Sequence, residues 1–166
     1  MIRLACSSDL DAIANVERSA ATAFLGTHMA FVVDDAPNHP DGLNFAIRCG
    51  LLWVACADGA VVGFMLAEPQ AEGLYLRELS VAAPFQQQGH GTALLRAAVA
   101  AAKRRGERQL MLTTDRSLAW NAPFYRRFGF VLCEGDAIPG VLQRRLADQY
   151  AAGFDPAHRC AMVMAL

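Results

Sequence analysis

The chain has 166 residues, of which 54% are hydrophobic and 19% are charged, so its composition excludes an intrinsically disordered protein and allows a sizeable core. The formal net charge of -1 and the pI near 6.4 offer no basic surface of the kind that nucleic acids or anionic membranes attract. We therefore expect one compact domain over residues 1–166, with no nucleic-acid or membrane partner.

The first third of the chain predicts a strand, a helix and a loop. Residues 2–5 form a short apolar run, and Ser8 offers a helix N-cap with a carboxylate three residues later. Apolar residues at helical spacing then continue to about Gly26. Residues 26–42 lose this period and collect aspartates and prolines, which predicts a loop, and residues 42–47 predict a short helix.

The polar residues of this loop have two interpretations. The acidic pair Asp34 and Asp35 either attracts a cationic amine or is a solvated end of the loop. His28 and His39 are expected to be surface residues.

The middle of the chain predicts a meander of three strands. Two apolar runs over residues 51–57 and 61–67 are joined by Asp58-Gly59, a dipeptide that favours the positive φ angles of a tight hairpin. A turn over residues 69–73 and a third strand over residues 74–81 complete the meander.

The second half predicts a crossover and a mixed sheet. A helix over about residues 91–105 is followed by a buried strand over residues 109–114, so this strand should run parallel to the third strand. The remaining predicted elements are a short helix, a strand, a longer helix and a final strand, over residues 123–128, 130–134, 141–152 and 160–166. The predicted fold class is α/β (α+β), with a mixed, mostly antiparallel sheet flanked by helices.

Two further features bear on partners and compartment. The final strand is apolar, and at a sheet edge it would invite pairing with a second copy, so we expect a homodimer.

The five cysteines lack the spacing of a zinc site, so they are expected to be reduced thiols, and no metal is expected. Because no membrane-spanning run and no secretory leader is recognised, the sequence predicts a cytoplasmic protein. The cysteines are Cys6, Cys49, Cys56, Cys133 and Cys160.

A glycine-containing loop lies between the third strand and the helix that follows it. It reads Gln-Gln-Gln-Gly-His-Gly over residues 86–91. The start of a helix has unpaired N–H groups and a positive dipole end, so it can hold a phosphate without a cationic side chain. A dinucleotide fingerprint would need glycine at Leu94, and the Gly-Lys-Ser/Thr of a Walker loop is absent. Gly89 and Gly91 therefore make either an anion-binding loop or merely a tight turn.

A second motif follows the crossover strand and reads WNAPFYRRFGF over residues 120–130. It predicts a short helix that ends at Gly129 in the left-handed conformation. Asn121 is interpreted either as an ordinary helix cap or as a ligand-binding residue. The second interpretation applies if Pro123 is the first helical residue, because Ala122 then becomes the cap.

Together the two motifs resemble the signatures of the GCN5-related N-acetyltransferase family, in the same order and with one helix and one strand between them. The resemblance is specific from about Glu78 to Phe130, and in element order it covers nearly the whole chain. It implies the fold of that family, acetyl-CoA as cofactor, and transfer of the acetyl group to a primary amine of a small molecule or an amino terminus. The alternative is a non-catalytic domain that binds or senses acyl-CoA.

The resemblance also implies roles for individual residues. Leu79 and Val81 would pair through main-chain groups with the pantetheine amides, Asn121 would contact the pantetheine arm, and Tyr125 would point at the cofactor sulfur. Other cofactor-binding residues belong to the loop that would hold the pyrophosphate: Gln86, Gln87, Gln88, Gly89, His90, Gly91 and Thr92.

Direct transfer to an amine needs a base and an acid, and the sequence offers one candidate for each. Glu78 shares a strand face with Leu74 and Leu76, so its pKa rises toward that of a general base if the face is covered; if exposed, Glu78 is only a solvated charge. The phenol of Tyr125, with an ordinary pKa of about 10, can protonate a departing thiolate. Cys133 has no neighbouring histidine in sequence, which disfavours a covalent acyl-enzyme.

Overall fold

The computed structural model describes residues 1–166. Seven strands form one mostly antiparallel sheet flanked by helices, which confirms the predicted fold class. The strands are β1 (Ile2–Leu4), β2 (Leu52–Ala57), β3 (Ala60–Gln70), β4 (Gly73–Val81), β5 (Gln109–Asp115), β6 (Val131–Cys133) and β7 (Arg159–Ala165). The helices are α1 (Leu10–Ala21), α2 (Pro40–Cys49), α3 (His90–Arg104), α4 (Ala122–Arg126) and α5 (Gly140–Ala151). None of these helices has both the length and the apolar composition of a membrane span.

The strands follow the order β1-β2-β3-β4-β5-β7-β6 across the sheet. The chain divides into two compact units, and the division passes through β3, β4 and α3. Unit 1 comprises Met1–Glu68 and Arg77–Ala101, and unit 2 comprises Pro69–Leu76 and Ala102–Leu166. One domain from end to end stays a prediction.

The core of unit 1 lies between α1 and α2 on one side and β2 and β3 on the other. Ile13 and Val16 of α1 repeat at helical spacing and are almost fully buried. Each such aliphatic side chain contributes roughly 1.5–3 kcal/mol when it leaves water. The other buried members of this cluster are apolar residues of both helices and both strands and of the chain after β1: Ala5, Leu43, Ala46, Leu52, Val54, Phe64 and Leu66.

The start of α1 differs from the prediction that Ser8 caps the helix. A 3-10 turn over Ser7–Asp9 precedes α1, so Asp9 occupies the cap position. Its carboxylate accepts hydrogen bonds from the Arg3 guanidinium at 2.7 and 2.8 Å and from the Cys6 N–H at 2.9 Å. The Arg3 contact holds the pKa of Asp9 well below its usual range. An ion pair between residues six apart, which no helix-cap pattern shows, has displaced the simple cap.

The hairpin between β2 and β3 is confirmed. Asp58 and Gly59 have φ angles of 49° and 80°, the left-handed values that a two-residue turn requires. β3 extends to Gln70, so the following turn is shorter than predicted. Farther along β3, a Cβ on Gly63 would lie 3.0 Å from the Ser80 carbonyl oxygen and 3.3 Å from the Leu94 side chain. The glycine therefore allows close packing among β3, β4 and α3, which are the elements that carry the candidate site.

Unit 2 is built on β5, β7 and α5. Leu74 and Tyr75 of β4 pair in parallel with Leu110 and Met111 of β5, which confirms the predicted crossover. The core cluster of this unit contains Tyr75, Met111, Val141, Leu142, Leu146 and Ala161. α5 packs on the sheet through these residues.

The position of β7 overturns the argument for a homodimer. β7 pairs with β5 from Arg159 to Ala165 and with β6 from Ala161 to Val163. Both of its edges are occupied, so the condition for that pairing, a position at the sheet edge, is not met, and β6 takes the outer position instead.

Candidate active site

The carboxylate of Glu78 lies on the covered face of β4, as the strand period predicts. Ser80, two residues later on the same face, donates a hydrogen bond from Oγ to Glu78 Oε1 at 2.7 Å. Arg77 points to the other face, where it forms a 2.6 Å ion pair with Glu68. Glu78 is thus held by a hydroxyl rather than by the neighbouring cation.

A second carboxylate, that of Glu17 on α1, is joined to Glu78 through one asparagine. Asn38 Nδ2 donates to Glu78 Oε2 at 2.5 Å and to Glu17 Oε1 at 2.9 Å. The main-chain N–H of Asn38 also donates to both oxygens of Glu17, at 3.1 and 3.0 Å. We call Glu17, Asn38, Glu78 and Ser80 the carboxylate cluster.

Burial dominates the electrostatics of this cluster. It raises the pKa of Glu78 above the ordinary value, against the hydrogen bonds from Ser80 and Asn38 and the charge of Arg77, which lower it. Burial and then the charge of Glu78 raise the pKa of Glu17 to about 7. The condition that the sequence set for a general base at Glu78, a covered strand face, is met.

The loop before α3 is braced by its own glutamines. Gln86 Nε2 donates to the Val81 carbonyl oxygen at 2.9 Å, and Gln88 Nε2 donates to the Pro84 carbonyl oxygen at 2.9 Å. Gln87 has a φ of 61°, the left-handed region that a non-glycine residue rarely adopts. The side chains of Gln86 and Gln88 therefore shape the loop, which leaves the main chain as its binding surface.

The turn into α3 offers space and donors for an anion. Gly89 has a φ of 88°, is exposed, and a Cβ built on it would meet no atom within 4 Å. α3 begins at His90, whose ring packs edge-on to Phe85 with centroids 6.3 Å apart. The N–H groups of the first helical residues, including Gly91 and Thr92, have no carbonyl partner within the helix. This open, donor-rich turn fits a pyrophosphate.

The second motif lies in unit 2 and forms α4. The helix begins at Ala122, so of the two alternatives for the cap residue the structure has Asn121, and Pro123 is not the first helical residue. The side chain of Asn121 makes no capping hydrogen bond, which keeps its binding interpretation open. The half-buried ring of Tyr125 packs edge-on to Phe130, with centroids 5.6 Å apart, and Gly129 has a φ of 97°.

A comparison with protein families identifies the chain. Residues 13–130 match the model of the family described as the acetyltransferase (GNAT) family, and this span includes both motifs and the carboxylate cluster. The chain belongs to the acetyltransferase (GNAT) family. The prediction of an acyltransferase that depends on acetyl-CoA is confirmed at the level of this family.

Solved structures share the fold of this acetyltransferase over its whole length. A PaiA N-acetyltransferase from Thermoplasma acidophilum, solved with coenzyme A, is 18% identical with a TM-score of 0.70, and the match covers 100% of this chain and 98% of that one. A ribosomal-protein-alanine N-acetyltransferase from Brucella melitensis is 21% identical with a TM-score of 0.73, covering 100% and 99%. A ribosomal-protein-S18-alanine N-acetyltransferase from Escherichia coli is 19% identical with a TM-score of 0.67, covering 99% and 92%.

Sequence reasoning missed two members of the carboxylate cluster of this acetyltransferase. Glu17 follows Ile13 by four residues, so helical spacing already placed a carboxylate beside the buried stripe of α1. Asn38 carries no motif and stands 40 residues from Glu78 in the chain, so only the fold reveals its role. His28, His39, Asp34 and Asp35 are exposed, as predicted for the histidines.

Proposed function

We propose that the chain transfers the acetyl group of acetyl-CoA directly to a primary amine, either of a small molecule or of an amino terminus. The observation that carries the proposal is the position of Glu78: a desolvated carboxylate, three residues before the end of the strand that leads into the glycine loop. A general base is most effective when its pKa lies near the working pH, and burial raises the pKa of Glu78 toward that range.

Acetyl-CoA supplies an acetyl thioester whose carbonyl carbon the amine attacks and whose sulfur leaves as the thiol. The main-chain N–H groups from Gly89 to Thr92 would hold its pyrophosphate, since the space in front of Gly89 is open. Leu79 and Val81 would pair with the pantetheine amides as a neighbouring strand would. The Val81 carbonyl already accepts from Gln86, which holds the end of β4 in place while the second lone pair stays available.

Glu78 and Tyr125 divide the proton transfers in this proposal. The amine gives a proton to Glu78 and so attacks as a neutral nucleophile, with Ser80 and Asn38 fixing the carboxylate. Tyr125 gives its phenolic proton to the departing sulfur, and its phenolate regains one, through solvent, from the acetylated nitrogen, which must lose its surplus proton. The packing of its ring on Phe130 restricts the direction of the hydroxyl, which suits an acid with a fixed target. Asn121 would contact the pantetheine arm.

Solved relatives by fold include two enzymes named for acetylating alanine of ribosomal proteins. Their names support an amino terminus as one acceptor class to test. The desolvated carboxylates of Glu17 and Glu78 favour an enzyme over a domain that merely senses acyl-CoA, because a binding domain does not need a base.

The test is release of CoA thiol across a panel of primary amines that includes amino acid amides and short peptides. We expect release with at least one amine, and a fall of about a hundredfold in kcat for Glu78→Gln. Glu134→Gln is the matched control, because its side chain is 74% exposed and lies outside the cluster. Acetyl-CoA binding without thiol release for any amine would contradict the proposal and favour the binding domain.

A further inference from the structure

A single general base needs only one carboxylate, yet the cluster contains two. Glu17 and Glu78 come from different elements, α1 and β4, and both accept from the side chain of Asn38. None of the three residues is fully buried. Neither carboxylate has a salt bridge to a cation, in contrast to Asp9 and Glu68.

We propose that Glu17, joined to Glu78 through Asn38, is a specificity-determining residue that restricts the proposed acceptor site to primary amines without a neighbouring carboxylate. This inference rests on the proposed function, because it refines the acceptor of the same site.

No positively charged side chain pairs with the carboxylates of Glu17 and Glu78. Arg77 is the nearby cation, and it lowers the pKa of both carboxyls, but its guanidinium is engaged by Glu68 at 2.6 Å. Ser80 and Asn38 are neutral donors. The loop that carries Asn38 adds further negative charge through the exposed Asp34 and Asp35. An incoming ammonium group therefore meets carboxylates that lack a cation of their own.

Asn38 joins the two carboxylates through one amide group, so an ammonium that enters the site meets both of them. The pair can therefore bind one ammonium. After binding, the ammonium loses one proton to the carboxylate of Glu78, which leaves a neutral amine and a neutral carboxyl group. The atoms and charges balance without another reactant.

An amino acid with its own α-carboxylate would fit this site poorly. The covalent geometry of the backbone keeps that carboxylate within about 3 Å of the amine nitrogen, so it approaches Glu17 and Glu78 whenever the nitrogen binds. Repulsion between like charges at about 6 Å near a protein surface weakens binding by roughly ten- to a hundredfold. An amide at the same position carries no charge and avoids this repulsion.

Glycinamide and glycine are the probes, because they differ only in the amide and the carboxylate. NMR signals of isotope-labelled glutamate carboxyl groups are followed while each probe is added to the full chain at about pH 7, where the α-amino groups are largely protonated. The variants Glu17→Gln and Glu78→Gln assign the two signals. We expect glycinamide to shift both, and glycine to need at least about tenfold higher concentration.

In Glu17→Gln the preference for glycinamide should fall toward equality, since glutamine keeps the acceptor oxygen for Asn38 but removes the second charge. Asp11→Asn, which removes an exposed carboxylate from the same helix, should keep the wild-type ratio. The inference would be overturned if glycine and glycinamide shifted the carboxyl signals of the wild-type protein at equal concentrations, or if neither probe shifted them. A protein that discriminates the probes but releases no thiol from acetyl-CoA would refute the proposed function alone.

Discussion

Replacing Asn38 by alanine tests whether the carboxylate cluster sets the pH dependence of the reaction. The change removes the Nδ2 donor, which lies 2.5 Å from Glu78 and 2.9 Å from Glu17, and keeps the main-chain donor to Glu17. Because that side chain stabilises the ionised form, its loss should raise the pKa of Glu78 further.

The size of the effect follows from the type of hydrogen bond that is lost. A hydrogen bond to a charged group contributes about 1.5–3 kcal/mol, which corresponds to about one to two pKa units. The cluster is partly open to solvent, so we expect the lower end, about one unit. On the acid side of the profile, this shift lowers kcat/KM by about tenfold at a given pH.

The assay is kcat/KM for thiol release as a function of pH, with the best amine of the panel. Titration of the amine itself affects wild type and variant alike, so the difference between their profiles reports on the enzyme. Asn15→Ala is the matched control, because Asn15 is exposed on α1 and accepts only from Arg18. An acid limb that stays at the wild-type position in folded Asn38→Ala would refute the assignment of Glu78 as the base.

Three further changes test other parts of the account. Tyr125→Phe keeps the packing on the neighbouring rings, so acetyl-CoA affinity should be unchanged while kcat falls by about a hundredfold. Near-normal kcat, or an equal loss in the control Tyr150→Phe, would show that Tyr125 is only a packing residue. Burial raises the pKa of Glu17 from 4.5 to about 7. The stability that the protonated carboxyl group contributes is therefore fully present below about pH 4.5 and is lost as the pH rises through about 7. The free energy of unfolding of Glu17→Gln, measured by chemical denaturation, should therefore rise by about 1–2 kcal/mol relative to wild type between about pH 5 and pH 8. A difference between the two proteins that does not change with pH would contradict this prediction. Gly89 and Gly106 flank α3, have φ angles of 88° and 72°, and both face open space. Gly89→Ala and Gly106→Ala should therefore each lose about 1 kcal/mol of stability. Calorimetric titration should show weakened acetyl-CoA binding for Gly89→Ala alone.

Local chemistry explains why several features were predictable from the sequence. Asp58-Gly59 specifies its turn through the φ angles that these residues tolerate, and the two-residue period of β4 places Glu78 and Ser80 on one face. The glycine loop and α3 follow from helix-start chemistry. In each case the responsible residues are close together in sequence.

The features that sequence reasoning missed depend on distant parts of the chain. The inner position of β7 could not be predicted because strand order is not visible in its apolar pattern. The cap at α1 is an exception, since Arg3 and Asp9 are only six residues apart. The link between Glu17 and Glu78 requires a loop asparagine to meet a helix and a strand. No spacing rule predicts such a meeting, since it depends on how the loop that carries Asn38 packs against α1 and β4.

The proposed function depends on transfer of the acetyl group, which mass spectrometry of the acceptor measures. The protein is mixed with isotope-labelled acetyl-CoA and the best amine of the panel, and N-acetylated amine and released thiol are counted together. The account predicts labelled N-acetyl product in equal amount to thiol, with both falling together in Glu78→Gln. Thiol released without acetylated amine, or acetyl-CoA bound without either product, would contradict it.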